Sequence, residues 1–157
     1  MIYTKISGNS YTKGTGGKKM LIKNGKVIIF EDDDVKVKQV DIKIKENKIE
    51  KIEKKIEPEE NEKVIDATNK VVMPGLINTH AHIAMSIFRG TFEGCDLYTW
   101  LNEKIWPIEA KLTSKEVYNA SMLSIIEMIS TGTTCVNDHY FFNEEIRKAL
   151  EKSKMRA

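Results

Sequence analysis

Two of the three histidines in this chain of 157 residues, His80 and His82, stand one residue apart at the end of an apolar run. Side chains two apart on a β-strand point to the same side of it, so both imidazoles can face one point if the strand continues through them. Neutral imidazoles bind Zn²⁺, Fe²⁺ and other borderline divalent ions. The spacing therefore predicts part of a divalent metal site. The alternative is that each imidazole only forms a hydrogen bond with a loop carbonyl.

The sequence around this pair predicts a strand that ends at the histidines. Residues 76–79 form a short apolar run after Pro74-Gly75, as is typical of a buried strand. A second short strand is predicted at 133–137, after a long helical pattern. Strands that alternate with helices indicate a parallel sheet covered by helices. In barrel enzymes the chemistry lies at the carboxyl ends of such strands, where His80 and His82 would stand.

A first helix is predicted between the two strands. Asp96 can cap its N-terminus, and Pro107 is expected to end it, because a proline ring and its missing N–H break a helix interior. The residues predicted on its inner face are Leu97, Trp100, Leu101 and Ile105.

Two further helices follow. Thr113 and Glu116 have the spacing of a capping box, and the helix that they begin ends at Gly132, a usual residue after a helix C-terminus. This helix is apolar on most sides, which predicts that it is largely buried. The last helix is predicted over 143–152 with Asn143 as its N-cap, acidic residues early and lysines late.

Residues 21–72 predict mostly β structure. Asn24-Gly25, between two short apolar runs, is a strong hairpin signal, and an acidic turn is predicted at 31–34. Apolar residues then alternate with polar ones at 40–44, as on one face of a strand. A charged loop at 58–62 and short strands around an Asn-containing turn complete this region.

One segment of this region is ambiguous. Ile49, Ile52 and Ile56 recur at helical spacing among lysines and glutamates, which suit a helix surface. Periodicity alone therefore predicts a helix here.

Composition excludes several classes of protein. The net charge is only +2, so nothing indicates a nucleic-acid or anionic-membrane partner, and no apolar run is long enough to span a membrane. Cys95 and Cys135 lie far apart, which predicts free thiols and a cytoplasmic location. Residues 1–19 are polar and glycine-rich, which predicts a flexible extension, with a short edge strand at 1–6 as the alternative.

Three segments together carry a resemblance to a known family. VVMPGLINTHAHIAMSIFRG, WLNEKIWPIEAKLT and IEMISTGTTCVNDHYF, in that order and spacing, resemble the amidohydrolase superfamily. Within it, the chain is most similar to the 5-methylthioadenosine/S-adenosylhomocysteine deaminases and related chlorohydrolases. The resemblance implies an α/β fold: residues 74–157 would be the N-terminal portion of a (β/α)8 TIM barrel with its first two strands. Residues 20–73 would be the N-terminal share of a small β-sandwich, which makes 49–56 a strand.

The resemblance also implies a chemistry and a set of residues. In the family a divalent metal activates water, which replaces the amine of a purine and releases ammonia. His80 and His82 match metal ligands, and Glu109 matches a glutamate that binds the ribose hydroxyls of the substrate. His139, beside Asp138 at the end of the second strand, could support the metal ligands or contact the substrate. Weaker candidates, expected to be structural, are Arg89, Glu127, Trp100 and Trp106.

The resemblance further implies that the site is incomplete in these residues. A barrel of this kind needs eight strands and about 250 residues, and the family's remaining ligands, a histidine on strand five and an aspartate on strand eight, have no counterpart here. The chain is thus expected to be the N-terminal part of an enzyme for a small nucleoside or purine, inactive alone. A homo-oligomer of the full-length protein is compatible with this expectation.

Two alternatives stay open. The parent enzyme could act on guanine, cytosine or a chlorinated triazine, as other superfamily members do. Alternatively, the chain could be a non-enzymatic module that binds metal or takes part in an assembly.

Overall fold

The computed structural model describes residues 2–4, 19–31 and 34–157. The chain divides into two compact units, Met1–Gly75 and Leu76–Ala157. The first is made of strands and the second mixes strands with helices.

The first unit is a six-stranded sheet built around its longest strand, β2. The strand order is β1-β6-β2-β3-β4, and β5 pairs with β2 as well. β2, β3 and β4 are antiparallel neighbours, whereas β1, β5 and β6 join by parallel pairing. The strands are β1 (Ile2–Thr4), β2 (Lys19–Glu31), β3 (Asp34–Lys45), β4 (Lys48–Glu53), β5 (Lys63–Asp66) and β6 (Val71–Pro74). The buried core on this sheet consists of Ile22, Val27, Ile42, Ile44, Ala67 and Val72.

The hairpin predicted at Asn24-Gly25 is wrong, because β2 runs straight through these residues. The register with β3 shifts there by one residue, which is a β-bulge, and Asn24 has a positive φ of 62°. The buried Asp41 carboxylate on β3 accepts the Asn24 N–H at 2.8 Å. A side chain of the neighbouring strand thus stabilises the irregular backbone of β2. The reversal between β2 and β3 occurs instead between Glu31 and Asp34, which pair with each other.

The helix predicted from the spacing of Ile49, Ile52 and Ile56 is also wrong. The strand that the family resemblance implies over 49–56 is confirmed as far as Glu53, where β4 ends. Ile49 pairs with Ile44 and Ile52 pairs with Ile42. A bulge leaves Glu50 as the extra residue between them, so two isoleucines three apart reach the same face of the sheet. The helical spacing is therefore produced by a bulged strand.

The predicted extension over 1–19 falls largely outside the described residues. Ile2–Thr4 form an edge strand that pairs in parallel with β6, as the alternative reading of residues 1–6 predicted. Lys19 already belongs to β2.

The second unit contains two parallel strands and the helices around them. β7 (Leu76–Ala81) pairs in parallel with β8 (Thr133–Asp138), which confirms the predicted parallel strands. The predicted burial of the first strand is wrong, because Leu76 is 49% and Ile77 67% exposed. The helices are a 3₁₀ helix (Ile83–Phe88), α1 (Leu97–Thr99), a π-helix (Trp100–Ile105), α2 (Trp106–Glu109), α3 (Ser114–Thr131) and α4 (Asn143–Ser153). Their shared core consists of Ile83, Ala84, Val117, Ile125, Val136, Ile146, Ala149 and Met155.

The first predicted helix does not end at Pro107. The Trp106 N–H bonds to the Leu101 carbonyl five residues back, and the chain then begins a new α-helical turn with Pro107 in it. A proline is tolerated in a first turn because its missing N–H has no partner to lose there. Helix α2 therefore continues to Glu109. On the predicted inner face, Ile105 is buried but Leu97 is 69% exposed.

The signals at the ends of the other helices are mostly confirmed. Thr113 and Glu116 form the predicted capping box, with the Thr113 N–H donating to the Glu116 carboxylate at 2.7 Å. Gly132 ends α3 with a φ of 94°. Asn143 is the first residue of α4 and not its cap, because Phe142 occupies the N-cap position.

Helix α3 is buried on one face only. Its buried residues are Val117, Ala120, Ser121 and Ile125, while Leu123, Ile126 and Ile129 are 46–59% exposed. The prediction that this helix is largely buried is therefore wrong. None of the helices in the described part of the chain is both long and apolar enough to cross a membrane.

A further parallel contact follows α4. Arg156 bridges to Cys135 of β8, and the Val136 N–H donates to the Arg156 carbonyl at 2.9 Å. Cys135 also pairs with Ile77 of β7, so Arg156 lies on the opposite side of β8.

Candidate metal and substrate site

The candidate site lies where β7 and β8 end. His80 is the second-last residue of β7, and His82 follows that strand directly. Asp138 is the last residue of β8 and is followed by His139. Because the two strands are parallel neighbours, their carboxyl ends bring these side chains to one edge of the unit.

The two imidazoles of the HxH motif converge through the same ring atom. Nε2 of His80 and Nε2 of His82 are 3.3 Å apart, and the rings are nearly perpendicular, with centroids 5.0 Å apart. Both side chains are exposed. The arrangement thus presents two nitrogens to a common point at the surface of this unit.

The other ring nitrogen of His82 is engaged by the main chain. Nδ1 of His82 lies in hydrogen-bonding contact with the carbonyl oxygen of His139. A carbonyl can only accept, so Nδ1 carries the proton and Nε2 keeps a free electron pair. This is the tautomer that a metal ligand needs.

Two further hydrogen bonds connect the ends of the strands around His82. The His139 N–H donates to the Ala81 carbonyl at 2.9 Å, and the Ile83 N–H donates to the Asp138 carboxylate at 2.7 Å. Burial raises the pKa of Asp138 above its ordinary value, although the hydrogen bond from Ile83 acts in the opposite direction. His82 is therefore flanked on both sides by backbone that β8 holds in place.

Glu109 is linked to this edge through Tyr140. The Tyr140 hydroxyl donates to Oε1 of Glu109 at 2.5 Å, and both side chains are partly buried. Burial first, and then the Glu109 carboxylate, raise the pKa of the Tyr140 phenol well above its ordinary value. The ring centroids of Tyr140 and His82 are 6.3 Å apart, which places the end of α2 near the histidine pair.

Arg89 and Glu127 form an ion pair with two hydrogen bonds. The two terminal guanidinium nitrogens of Arg89, Nη1 and Nη2, donate to the Glu127 carboxylate at 2.6 and 2.7 Å. The hydrogen bonds raise the pKa of Arg89 and lower that of Glu127. The pair ties the loop after the 3₁₀ helix to α3. Trp106 is 48% exposed, and Trp100 is partly buried.

The structure thus brings together four of the residues singled out from the sequence. His80 and His82 meet directly, His139 meets His82 through its carbonyl, and Glu109 is connected through Tyr140. Tyr140 is the residue that sequence reasoning missed. Its only signal was its position two residues after Asp138, on the alternation that continues from β8.

The distance between the two Nε2 atoms fits a shared metal ion. Two imidazole nitrogens bound to one tetrahedral Zn²⁺ at about 2.0–2.1 Å would lie about 3.3–3.4 Å apart. The observed separation is 3.3 Å. No cluster of three or more His, Cys, Asp or Glu side chains suited to a metal occurs among residues 2–4, 19–31 and 34–157. A catalytic zinc commonly has three protein ligands, so this pair supplies only part of such a site.

Comparison with known proteins identifies the family. The model of the amidohydrolase family matches residues 71–157, which include β7, β8 and the histidine pair. The chain belongs to the amidohydrolase family.

The individual relatives are deaminases. The chain is 57% identical over 94 residues to a 5′-deoxyadenosine deaminase from Methanosphaera stadtmanae, a match that covers 60% of this chain and 22% of the relative. It is 52% identical over 99 residues to a 5-methylthioadenosine/S-adenosylhomocysteine deaminase from Carboxydothermus hydrogenoformans, covering 63% of this chain and 23% of that protein. The match therefore extends over less than a quarter of the length of these relatives.

A solved structure agrees with the fold. An adenosine deaminase from Xanthomonas campestris with bound zinc superposes with a TM-score of 0.67 at 27% identity. The superposition covers 86% of this chain and 32% of that one. The prediction of an α/β fold that forms part of a TIM barrel is confirmed.

Proposed function

We propose that this chain is the N-terminal part of a metal-dependent aminohydrolase that deaminates adenosine-type nucleosides. The observation that carries the proposal is the convergence of two Nε2 atoms, with His82 held in the tautomer that leaves its Nε2 free. The names of the two relatives described above, both deaminases of adenosine derivatives, support this substrate class.

His80 and His82 would hold Zn²⁺, or another borderline divalent ion such as Fe²⁺. A metal held there supplies Lewis-acid activation of water near neutral pH. The other residues of this chain at the site orient the metal-binding side chains. The His139 carbonyl fixes the ring of His82, and the Asp138 carboxylate fixes the backbone at Ile83 immediately after it.

Glu109 would bind the sugar of the substrate. A carboxylate accepts hydrogen bonds from two neighbouring hydroxyls, which makes it suited to a ribose diol. Glu109 has one oxygen engaged by Tyr140 and is partly exposed, so acceptor capacity remains. The side chain of His139, with its ring centroid 6.0 Å from that of His82, is available to contact the purine.

The overall reaction replaces the exocyclic amine of the purine with the oxygen of water and releases ammonia. The proton-handling groups and the remaining metal ligands would come from further residues of a longer polypeptide. The 157-residue chain by itself is therefore expected to be inactive, and its cytoplasmic location stays a prediction.

The experiment is a substrate screen with the protein encoded by the complete reading frame, loaded with Zn²⁺. Ammonia release is measured with 5′-deoxyadenosine, 5-methylthioadenosine, S-adenosylhomocysteine and adenosine, and with guanine, cytosine and a chlorotriazine as the competing class. The expected result is turnover of the nucleosides only. Turnover of a free base or triazine in their place would contradict the proposal.

Two variants sharpen this screen. H80A and H82A should each lose bound zinc and turnover together. E109Q should raise KM for the nucleosides by tenfold or more, as expected for the loss of hydrogen bonds to a charged group. E103Q is the matched control, because Glu103 is an exposed carboxylate in the preceding π-helix.

The non-enzymatic alternative is tested with the 157-residue chain. A monodisperse protein that binds one metal ion tightly, with no activity in the longer protein either, would favour a metal-binding or assembly module.

A further inference from the structure

We propose that Tyr140 is a positioning residue that orients Glu109 toward the hydroxyl groups of a nucleoside, and that it thereby contributes to the selection of ribosides. This inference rests on the proposed function, because it assigns a partner to the proposed sugar-binding carboxylate. It is carried by the hydrogen bond of 2.5 Å from the Tyr140 hydroxyl to Oε1 of Glu109.

The first step of the argument concerns the orientation of Glu109. A glutamate at the end of a short helix has three rotatable side-chain bonds, and fixing them costs conformational entropy when a ligand binds. The bond from Tyr140 fixes one carboxylate oxygen before binding. The other oxygen, Oε2, is left to accept from the substrate, so part of the ordering cost is removed in advance.

The second step concerns the donor. A phenol has one O–H, and in Tyr140 this O–H donates a hydrogen bond to Glu109. Burial and the neighbouring carboxylate raise the pKa of this phenol above its ordinary value, so Tyr140 keeps its proton near neutral pH. A hydrogen bond to a charged acceptor is also stronger than one between neutral groups.

The third step concerns location. Tyr140 follows β8 by two residues and its ring lies near that of His82, with a centroid distance of 6.3 Å. Glu109 belongs to a different element, α2, thirty-one residues earlier in the chain. The Tyr140 hydroxyl is thus the contact that relates the sugar-binding carboxylate to the end of the sheet where the histidines converge.

The test uses the complete enzyme and two substrates, an adenosine-type ribonucleoside and its 2′,3′-dideoxy analogue. The variant is Y140F, which removes only the hydroxyl. Y98F is the matched control, because the Tyr98 side chain is 72% exposed. KM and kcat are measured for both substrates, and the same measurements are made for E109Q and for the double variant E109Q/Y140F.

Y140F should raise KM for the ribonucleoside about tenfold, the lower end of what a hydrogen bond to a charged group contributes, with kcat within about twofold. KM for the dideoxy analogue should change little. In the E109Q background Y140F should add almost nothing, since the two residues act through one interaction. Y98F should behave as the wild type.

The failures are distinguishable. If Y140F leaves KM for the ribonucleoside unchanged while E109Q raises it, the role of Tyr140 is overturned and that of Glu109 stands. If Y140F lowers kcat or the melting temperature and affects both substrates equally, Tyr140 is only a packing residue. If the unmodified enzyme treats both substrates alike, or deaminates neither, it is the proposed function that fails.

Discussion

His82 donates its Nδ1–H to the main-chain carbonyl of His139, and this bond determines which nitrogen of the ring is free to bind a metal. The acceptor belongs to the backbone, so no side-chain substitution removes it directly. The residue before His139, Asp138 at the end of β8, accepts the Ile83 N–H through its carboxylate. The strand that neighbours the HxH motif therefore contributes to its geometry without supplying a ligand of its own.

The tautomer of His82 can be measured directly. In the ¹⁵N-labelled protein without metal, long-range proton–nitrogen NMR correlations should show Nδ1 of His82 protonated and Nε2 unprotonated, because a carbonyl accepts from Nδ1. Added Zn²⁺ should shift Nε2 of His80 and His82. A protonated Nε2 on His82 would contradict the assignment.

Removal of the Asp138 carboxylate should destabilise the second unit. D138A leaves the buried Ile83 N–H without its acceptor, and an unsatisfied buried donor costs about 1–3 kcal/mol in free energy of unfolding. D138N retains an oxygen that can accept, so it should cost less than about 1 kcal/mol. Urea denaturation of both variants measures the difference. Equal stability of D138A and D138N would mean that the hydrogen bond contributes nothing.

The first unit should lose stability in acid through Glu59. Hydrogen bonds from Lys19 and Lys43 lower the pKa of Glu59 to about 2, from an ordinary 4.5. A carboxylate with a lower pKa in the folded state stabilises the fold above its unfolded pKa. That contribution is lost as the pH falls from about 4.5 toward 2. Denaturation followed at the amides of β3 should show this decline at low salt.

The controls for this pH dependence are a variant and a salt series. E59Q should flatten the decline, whereas E60Q, at an exposed neighbouring position, should leave it in place. Added salt should weaken the effect, because the side chains of the Lys19–Glu59 pair are 40% and 46% exposed and salt screens charges that water reaches. An unchanged profile in E59Q would assign the decline to other carboxylates.

Substitution of Gly25 tests the bulge in β2. A Cβ at this position would lie 2.7 Å from Cγ2 of Val72 and 3.3 Å from Cβ of Ala67. G25A should therefore destabilise the first unit by about 1–3 kcal/mol through overpacking. V72A removes the nearest clashing atom, so G25A/V72A should be more stable than the sum of the two single variants predicts. Strict additivity in a denaturation cycle would rule out this clash.

The parts of the fold that the sequence predicted well depend on local signals. The capping pair Thr113 and Glu116 and the glycine at 132 act within one turn of the helix that they limit. Asn24-Gly25 was mispredicted because its conformation depends on Asp41, seventeen residues later, which accepts the Asn24 N–H. The isoleucines of β4 were mispredicted because the strand contains a bulge. The extra residue, Glu50, lets Ile49 and Ile52 reach the same face of the sheet although they are three residues apart.

In the candidate site, too, the contact that depends on local spacing was predicted, and the contact between distant elements was not. The spacing of His80 and His82 was enough to predict that their imidazoles converge, because it requires only an extended backbone. The partnership of Glu109 and Tyr140 could not be read from the sequence. It requires the helix to continue past Pro107 and two distant elements to meet.

The bridge from Arg156 to Cys135 has a consequence for how the molecule is made. Each parallel strand of the second unit is placed beside the one synthesised just before it, on the side still open. During synthesis on the ribosome, the strand with which each of these segments pairs has therefore already been made. Assembly of these three segments can therefore advance in the order of translation.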